Sequence, residues 1–244
     1  MTDWNKIKFR ASSWGNLLAE SKTKGEPIGK TCQAELLKIY SEEVYGRKKD
    51  ITTAAMEKGK QVEPDSIAML SVLEGKLYYK NEDRMEDEDF CGHPDLFSED
   101  GTEVGDIKSS WSLDSFMPKL IEEPDKAYVA QLNVYYALSH ATGGFLAYCL
   151  VSAPMNILEQ EKRSLLFKMN VVSELSPEYV RAAEELEHLL TFDDIPIQER
   201  VIKIPVPRDE ELISKMRAKV PVMRNWLSEF HKKHLSLYPK HELV

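Results

Sequence analysis

The stretch that most constrains the fold is residues 90–110, FCGHPDLFSEDGTEVGDIKSS. Two short β-prone apolar runs flank Ser98-Glu99-Asp100-Gly101, and a glycine-containing turn between such runs signals a hairpin. Strand periodicity sends Asp106, Lys108 and Ser110 to one face, and Gly105, Ile107 and Ser109 to the other. Asp95, behind Gly92-His93-Pro94, belongs to the first run. Two carboxylates and a lysine are therefore expected to meet on neighbouring strands. A hairpin serving structure alone would place Val or Thr inward and keep its charges at the turn.

The chain before this stretch reads as helical. Ser12-Ser13 ahead of Trp14 has the look of a helix start with a serine N-cap, where unpaired amides also suit a phosphate. Residues 31–45, stopped by Gly46, and residues 52–73 are predicted helices. Gly59 and Pro64 fall inside the second. Proline disfavours a helix interior by about 3 kcal/mol, so a kink or break is expected beside Glu63. Residues 76–80 are a predicted strand. After the hairpin come a linker or short helix at 112–121, a helix at 125–141 and a buried strand at 145–151. Helices at 156–169 and 176–190 follow, with Pro177 in the first turn of the second. Residues 199–206 alternate as an edge strand ended by prolines. A last helix at 209–234 carries the apolar stripe Leu212, Met216, Val220, Met223, Leu227 and Phe230, with Pro221 expected to kink it. The order α-α-β-β-β-α-β-α-α-β-α is that of a mixed α/β layer fold.

The chain has 244 residues, 42% hydrophobic and 30% charged, which fits one large domain with a real core. No apolar run approaches the ~20 residues of a membrane span, and residues 1–6 lack the apolar centre of a signal peptide. Cys32, Cys91 and Cys149 share no CxxC spacing and read as buried thiols in a reducing compartment. The expected location is the cytoplasm. A net charge of −9 argues against a protein that coats nucleic acid indiscriminately. The N-terminal quarter is nevertheless basic, through Lys6, Lys8, Arg10, Lys22, Lys24, Lys30, the run Arg47-Lys48-Lys49, Lys58 and Lys60. The acidic excess at 82–89, 184–187 and 193–194 reads as solvated faces.

Four pieces carry chemistry: Glu63 on a helix before the sheet, Asp95, Asp106-x-Lys108, and the pair Gln131 and Tyr135 on one face of the following helix. Magnesium takes oxygen ligands, commonly one or two carboxylates with several retained waters. Asp95 and Asp106 supply these, the Ile107 carbonyl is a further donor, and Glu63 binds directly or through water. A lysine two residues past a ligand carboxylate shares its strand face, where it orients an attacking water or offsets charge on a phosphate.

This arrangement resembles the PD-(D/E)XK nuclease superfamily: Pro94-Asp95, eleven residues on to Asp106, then Lys108. Gly59-x-x-x-Glu63 before the sheet and Gln131-x-x-x-Tyr135 after it resemble the RecB-like, YqaJ-like branch that includes the phage lambda-type exonucleases. The Ser12-Ser13 start and Val44-Tyr45-Gly46-Arg47 are similar to that branch too. The likeness covers roughly residues 6–150. It implies a restriction-endonuclease-like α/β core, a central mixed β-sheet flanked by helices, with a C-terminal helical extension. One nuclease domain, 1–244, would comprise N-terminal helices with a 5′-phosphate pocket (1–50), a catalytic core (51–153) and a helical and edge-strand extension (154–244). The implied activity is Mg2+-dependent hydrolysis of DNA, with Mn2+ able to substitute. Lambda-type members are 5′→3′ exonucleases on double-stranded ends, form a toroidal trimer and work with a single-strand annealing protein in phage recombination. By the resemblance, Lys108 positions the water, Gln131 braces Lys108 or the phosphate, and Tyr135 supports the helix side. Ser13 aligns with the 5′-phosphate pocket, with Ser12, Lys6 or Arg10 supplying the rest. Two departures stand out: His93, where relatives often carry a small hydroxyl residue, and Asp106 in place of the commoner glutamate. The iron–sulfur branch needs four ligating cysteines, and this chain has three.

Each residue also has a plain reading. Glu63 suits a solvated helix face, Asp95 a turn, and Asp106 with Lys108 an exposed ion pair worth at most ~1 kcal/mol. Gln131 lies in a mostly apolar helix, where a buried amide needs partners, and Tyr135 suits the core. His93 reads as a base or a packed strand histidine; His188, His231, His234 and His241 read as surface residues, and His140 as a helix end. Trp111 suits base stacking or the core, and Met216 with Met223 the core or a subunit contact. No P-loop is encoded. Two other functions fit the same residues: a structure- or end-specific endonuclease, and a nuclease fold that only binds DNA or a protein. Unpaired carboxylates repel DNA unless a metal is present, which speaks against the last.

Overall fold

A computed structural model describes residues 2–48 and 52–237; Lys49 of the basic run and His241 lie outside these. In chain order the elements are β1 Phe9–Arg10, α1 Trp14–Leu17, α2 Lys30–Tyr45, α3 Ala54–Glu74, β2 Tyr78–Lys80, β3 Met85–Glu86, β4 Phe90–Gly92, β5 Leu96–Ser98 and β6 Glu103–Ser109. They continue as α4 Leu113–Phe116, α5 Lys126–Leu138, β7 Gly143–Cys149, α6 Met155–Met169, α7 Pro177–Leu190, β8 Val201–Pro205 and α8 Glu210–Leu237.

The central sheet has the order β2-β5-β6-β7-β8 and is mixed. β5 and β6 are antiparallel, joined by the expected turn, where Gly101 takes φ +70°. Asp100 accepts bonds there from the Ser98 hydroxyl and from Thr102. β6 and β7 are parallel, which requires a crossover, and α5 provides it. Among the described residues β8 pairs only with β7 and forms an edge, which suits its prolines. On one sheet face, Ile107, Phe145 and Cys149 pack on Ile67 and Leu70 of α3. On the other, Val104, Leu146 and Tyr148 pack with Leu132, Tyr135 and Tyr136 of α5 in the main core. The two-sided burial of β7 explains its unbroken apolar sequence.

The structure departs from the sequence expectations at several points. The 90–97 run is not one strand: β4 and β5 belong to different sheets, and Asp95 lies in the bend between them. A second, three-stranded sheet, β1-β4-β3, is built from strands too short to leave a periodicity. α3 runs through Pro64 without a break. Val62, Ile67, Met69 and Leu70 are buried on both sides of it, and at about 1.5–3 kcal/mol per side chain they outweigh the ~3 kcal/mol cost of the proline. α8 likewise continues through Pro221 with Met216, Val220, Met223 and Leu227 fully buried. Ser12 and Ser13 close a short 3-10 turn ahead of the four-residue α1, and the Ser13 hydroxyl makes no cap bond; it donates to Glu35 at 2.9 Å.

Three groups of surface-type composition are ordered parts of the fold. His231 and His234 bond the hydroxyls of Tyr40 and Tyr45, at 2.9 and 2.8 Å, and tie α8 to α2. The acidic run 82–89 is clamped by α8. Arg217 holds Asp87 at 2.6 Å and Asp89 at 3.1 Å, with its guanidinium over the Phe90 ring. Arg224 holds Asp89 at 3.1 Å and bonds the carbonyls of Ile7 and Glu88. Lys58 is fully buried; its ammonium donates to the carbonyls of Ser110 (2.9 Å) and Trp111 (3.0 Å) and lies against the Trp111 and Phe192 rings. Trp111 is thus part of the packing beneath the exit of β6. All three cysteines are free and buried.

Burial pushes the Lys58 pKa down from 10.5 to about 8. Between those values the unfolded chain binds the extra proton, so this residue makes stability rise with pH. Denaturant midpoints measured from pH 8 to 10 are expected to show that rise in the wild type relative to Lys58→Met. The variant is expected to be less stable by about 1–3 kcal/mol at pH 7, because two carbonyls lose their donor.

Candidate active site

The site forms where β6 runs past the Asp95 bend. Asp106 projects to the α5 side of the sheet and is fully buried. Its Oδ1 accepts the Gln131 amide at 2.9 Å. Its Oδ2 lies 2.5 Å from the Lys108 ammonium, yet it is buried without hydrogen-bond geometry to any donor among the described residues. Asp95 Oδ2 accepts the Ile107 backbone N–H at 2.7 Å. A strand residue turns its N–H and C=O to the same edge, so the Ile107 carbonyl faces the Asp95 side. Burial raises both aspartate pKa values, and the Asp106 charge raises Asp95 further; Lys108 opposes both. Burial disfavours the Lys108 charge, but Asp106 and Asp95 outweigh it and hold that pKa above its ordinary value. Tyr128 of α5 presents its ring to the same ammonium, 4.6 Å from the centroid.

Helix α5 is the brace. Asp125 caps it by accepting the Ala127 N–H at 2.8 Å. Gln131 and Tyr135 share one face, and the Gln131 amide donates to both Asp106 and the Tyr135 hydroxyl (2.7 Å). The Tyr135 hydroxyl donates to the His93 carbonyl at 3.1 Å, which ties the bend to the helix. Gln131 therefore bonds Asp106, where the resemblance implied a brace on Lys108 or the phosphate. The bend is held from its other side by Asn81, whose N–H bonds the Asp95 carbonyl (2.9 Å) and whose amide bonds the Pro94 carbonyl (3.0 Å). His93 is exposed, and its Nε2 donates to the Asn81 carbonyl at 3.0 Å. That contact occupies Nε2, and His93 lies outside the strands, in the bend after β4. Gly92 is needed for close approach: a Cβ there would stand 2.8 Å from the Tyr135 ring and 3.1 Å from the Ala11 Cβ.

Glu63 stands in the field of both aspartates and raises them, but its carboxylate pairs with Lys80 at 3.1 Å. Among the described residues, no three His, Cys, Asp or Glu side chains converge as a metal cage. The donor set is two aspartates and a carbonyl, which suits a hard cation that keeps several waters. The Asp106 carboxylate, ion-paired with Lys108, lines the same cleft as Asp95, and two such carboxylates fit such an ion.

A cleft of about 350 Å³ opens on these groups, lined also by Arg10, Ser12, Arg84 and His93. Arg10 also lines an adjoining recess of about 260 Å³ with Lys8, Ser13, Lys38, Arg47 and Glu42, and it is ion-paired with Glu42. Lys6 is apart from both. It lies in another surface recess with Glu86 and Arg224, so the four residues named for a 5′-phosphate do not form one cluster. Arg84, Asn81, Lys80 and Tyr128 were not anticipated. The one sequence signal for Arg84 is a lone arginine inside an acidic run.

No family model and no curated protein matches the sequence. Solved structures do. A phage-related exonuclease from Haemophilus somnus 129PT superposes with TM-score 0.72 at 20% identity, over 94% of this chain and 97% of that one. An alkaline exonuclease from Laribacter hongkongensis superposes with TM-score 0.63 at 15% identity, over 96% and 97%. A structure of the same exonuclease with dAMP superposes with TM-score 0.63 over 94% and 92%. The chain has the nuclease fold of these proteins along almost its whole length, C-terminal helices included.

Substituting Gly92→Ala is expected to cost about 1–3 kcal/mol in urea denaturation, since the Tyr135 ring is bonded at its hydroxyl and has nowhere to move. An unchanged midpoint would show that the bend tolerates a side chain.

Proposed function

We propose that this protein is a Mg2+-dependent exonuclease that hydrolyses phosphodiester bonds at double-stranded DNA ends. The observation that carries the reading is the pair Asp95 and Asp106, two carboxylates disfavoured by burial that line one cleft with Lys108 against them. Two carboxylates against one ammonium leave net negative charge in a desolvated site, which is costly, and a divalent cation relieves that cost. Asp95, Asp106 and the Ile107 carbonyl would hold the ion, with Glu63 acting through water from its ion pair with Lys80. When bound, Mg2+ supplies charge that polarises the scissile phosphate and lowers the pKa of a coordinated water.

The chain's own groups do the rest. Gln131 fixes Asp106 through Oδ1 and leaves Oδ2 toward the cleft. Lys108, steadied by Asp106 and the Tyr128 ring, orients the water or offsets charge developing on the phosphate. Tyr135 keeps the Asp95 bend on α5. Arg10 and Ser12 receive a terminal phosphate at the cleft wall, and Arg10 links the cleft to the basic recess carrying Ser13. Exonucleases of the same fold, one with dAMP, support DNA as the substrate class. The 5′→3′ direction, a trimer, an annealing partner and a phage or prophage setting in a bacterial cytoplasm rest on the motif resemblance. Among the described residues no helix is long and apolar enough to cross a membrane.

Asp106→Asn and Lys108→Ala are each expected to lower the cleavage rate on linear duplex DNA with Mg2+ by at least about 10²-fold, with circular dichroism unchanged. Full activity in both variants would overturn the assignment.

A further inference from the structure

The acidic segment 82–89 carries one arginine, and the fold turns that arginine toward the chemistry. Three of its six carboxylates are taken up by other elements: Lys8 holds Glu86 at 2.7 Å, Arg217 holds Asp87 and Asp89, and Arg224 holds Asp89. Arg84 is left with weaker company, Glu86 Oε2 at 3.4 Å and the Cys91 thiol. Its side chain is 64% exposed and lines the cleft together with Asp95, Asp106 and Lys108.

We propose that Arg84 is a DNA-backbone contact, its guanidinium gripping the two non-bridging oxygens of a phosphodiester neighbouring the one presented to Asp95 and Asp106. The inference rests on the nuclease reading and deepens it by naming a strand-positioning residue. A guanidinium matches a phosphate with two parallel N–H bonds. A chain of net charge −9, with two aspartates at the centre of its cleft, needs local cations on the rim to bring DNA in. The segment is clamped before DNA arrives, so little ordering entropy is lost when Arg84 binds. The arginines of α8 thereby act on the cleft at a distance, by neutralising and fixing the segment that presents Arg84.

The test uses the intact protein and a fluorescein-labelled, 5′-phosphorylated linear duplex. Binding is read by anisotropy with Ca2+ in place of Mg2+ across a series of KCl concentrations, and cleavage is read with Mg2+. Arg84→Ala is expected to weaken binding about tenfold and to raise KM in step, with kcat within about twofold. The slope of log K against log [KCl] should shallow by about one unit. Arg84→Lys should keep the wild-type slope, because it keeps the charge, while losing part of the affinity with the bidentate geometry. A wild-type slope and KM in Arg84→Ala would overturn the proposal, as would a loss confined to kcat. Wild-type protein that binds the duplex and leaves it uncut with Mg2+ would overturn the nuclease reading, while the salt slope would still decide the role of Arg84.

Discussion

Two carboxylates held out of water in each other's field are the constraint on which the rest of this structure depends. The effective cost of burying an ion is several kcal/mol even after relaxation, and Asp95 and Asp106 both sit where burial disfavours their charge. The fold answers with one backbone N–H to Asp95, one amide to Asp106 and one ammonium between them and the Tyr128 ring. This offsets the charge incompletely, since one ammonium faces two carboxylates. A protein built for stability alone gains by replacing such a group with packed apolar atoms. Its retention, at the floor of a cleft, is the physical argument for a cation there.

Holding that geometry occupies much of the remaining chain. Asp95 lies in a bend between two sheets, where its place depends on Tyr135 from one side, Asn81 from the other and the missing side chain of Gly92. Helix α5 is itself held from behind by the C-terminal region: Tyr136 donates to the Val206 carbonyl at 2.6 Å, and the Asn133 amide oxygen accepts the Asp209 N–H at 2.8 Å. α8 then returns across the N-terminal elements, packing Met223 near Cys32 and pairing His231 with Tyr40. β8 and α8 thus contribute to the main core, while α6 and α7 pack in a smaller cluster of their own.

What was legible in the sequence was the part that repeats with a period or keeps an order. The alternation of 103–111, the mostly apolar 128–138 and the stripe of 212–230 each reflect one strand or helix face, so their elements followed, while the bond from Gln131 to Asp106 did not. What was not legible depended on contacts between distant segments. A two-residue strand such as β1 or β3 leaves no period. Pro64 signals a break that the burial of Val62, Ile67 and Leu70 overrides. Lys58 and the acidic run 82–89 have surface composition, and only the position of β6 and of Arg217 and Arg224 makes them internal ties. Ser13 has the sequence of a cap, but Glu35, more than twenty residues on, takes its hydroxyl.

The most direct test of the central claim is digestion of linear, 5′-phosphorylated double-stranded DNA beside a covalently closed circle, with and without Mg2+. The account predicts loss of the linear substrate alone, and only with the metal. Cutting of the closed circle, or degradation that persists in a chelator, would contradict it.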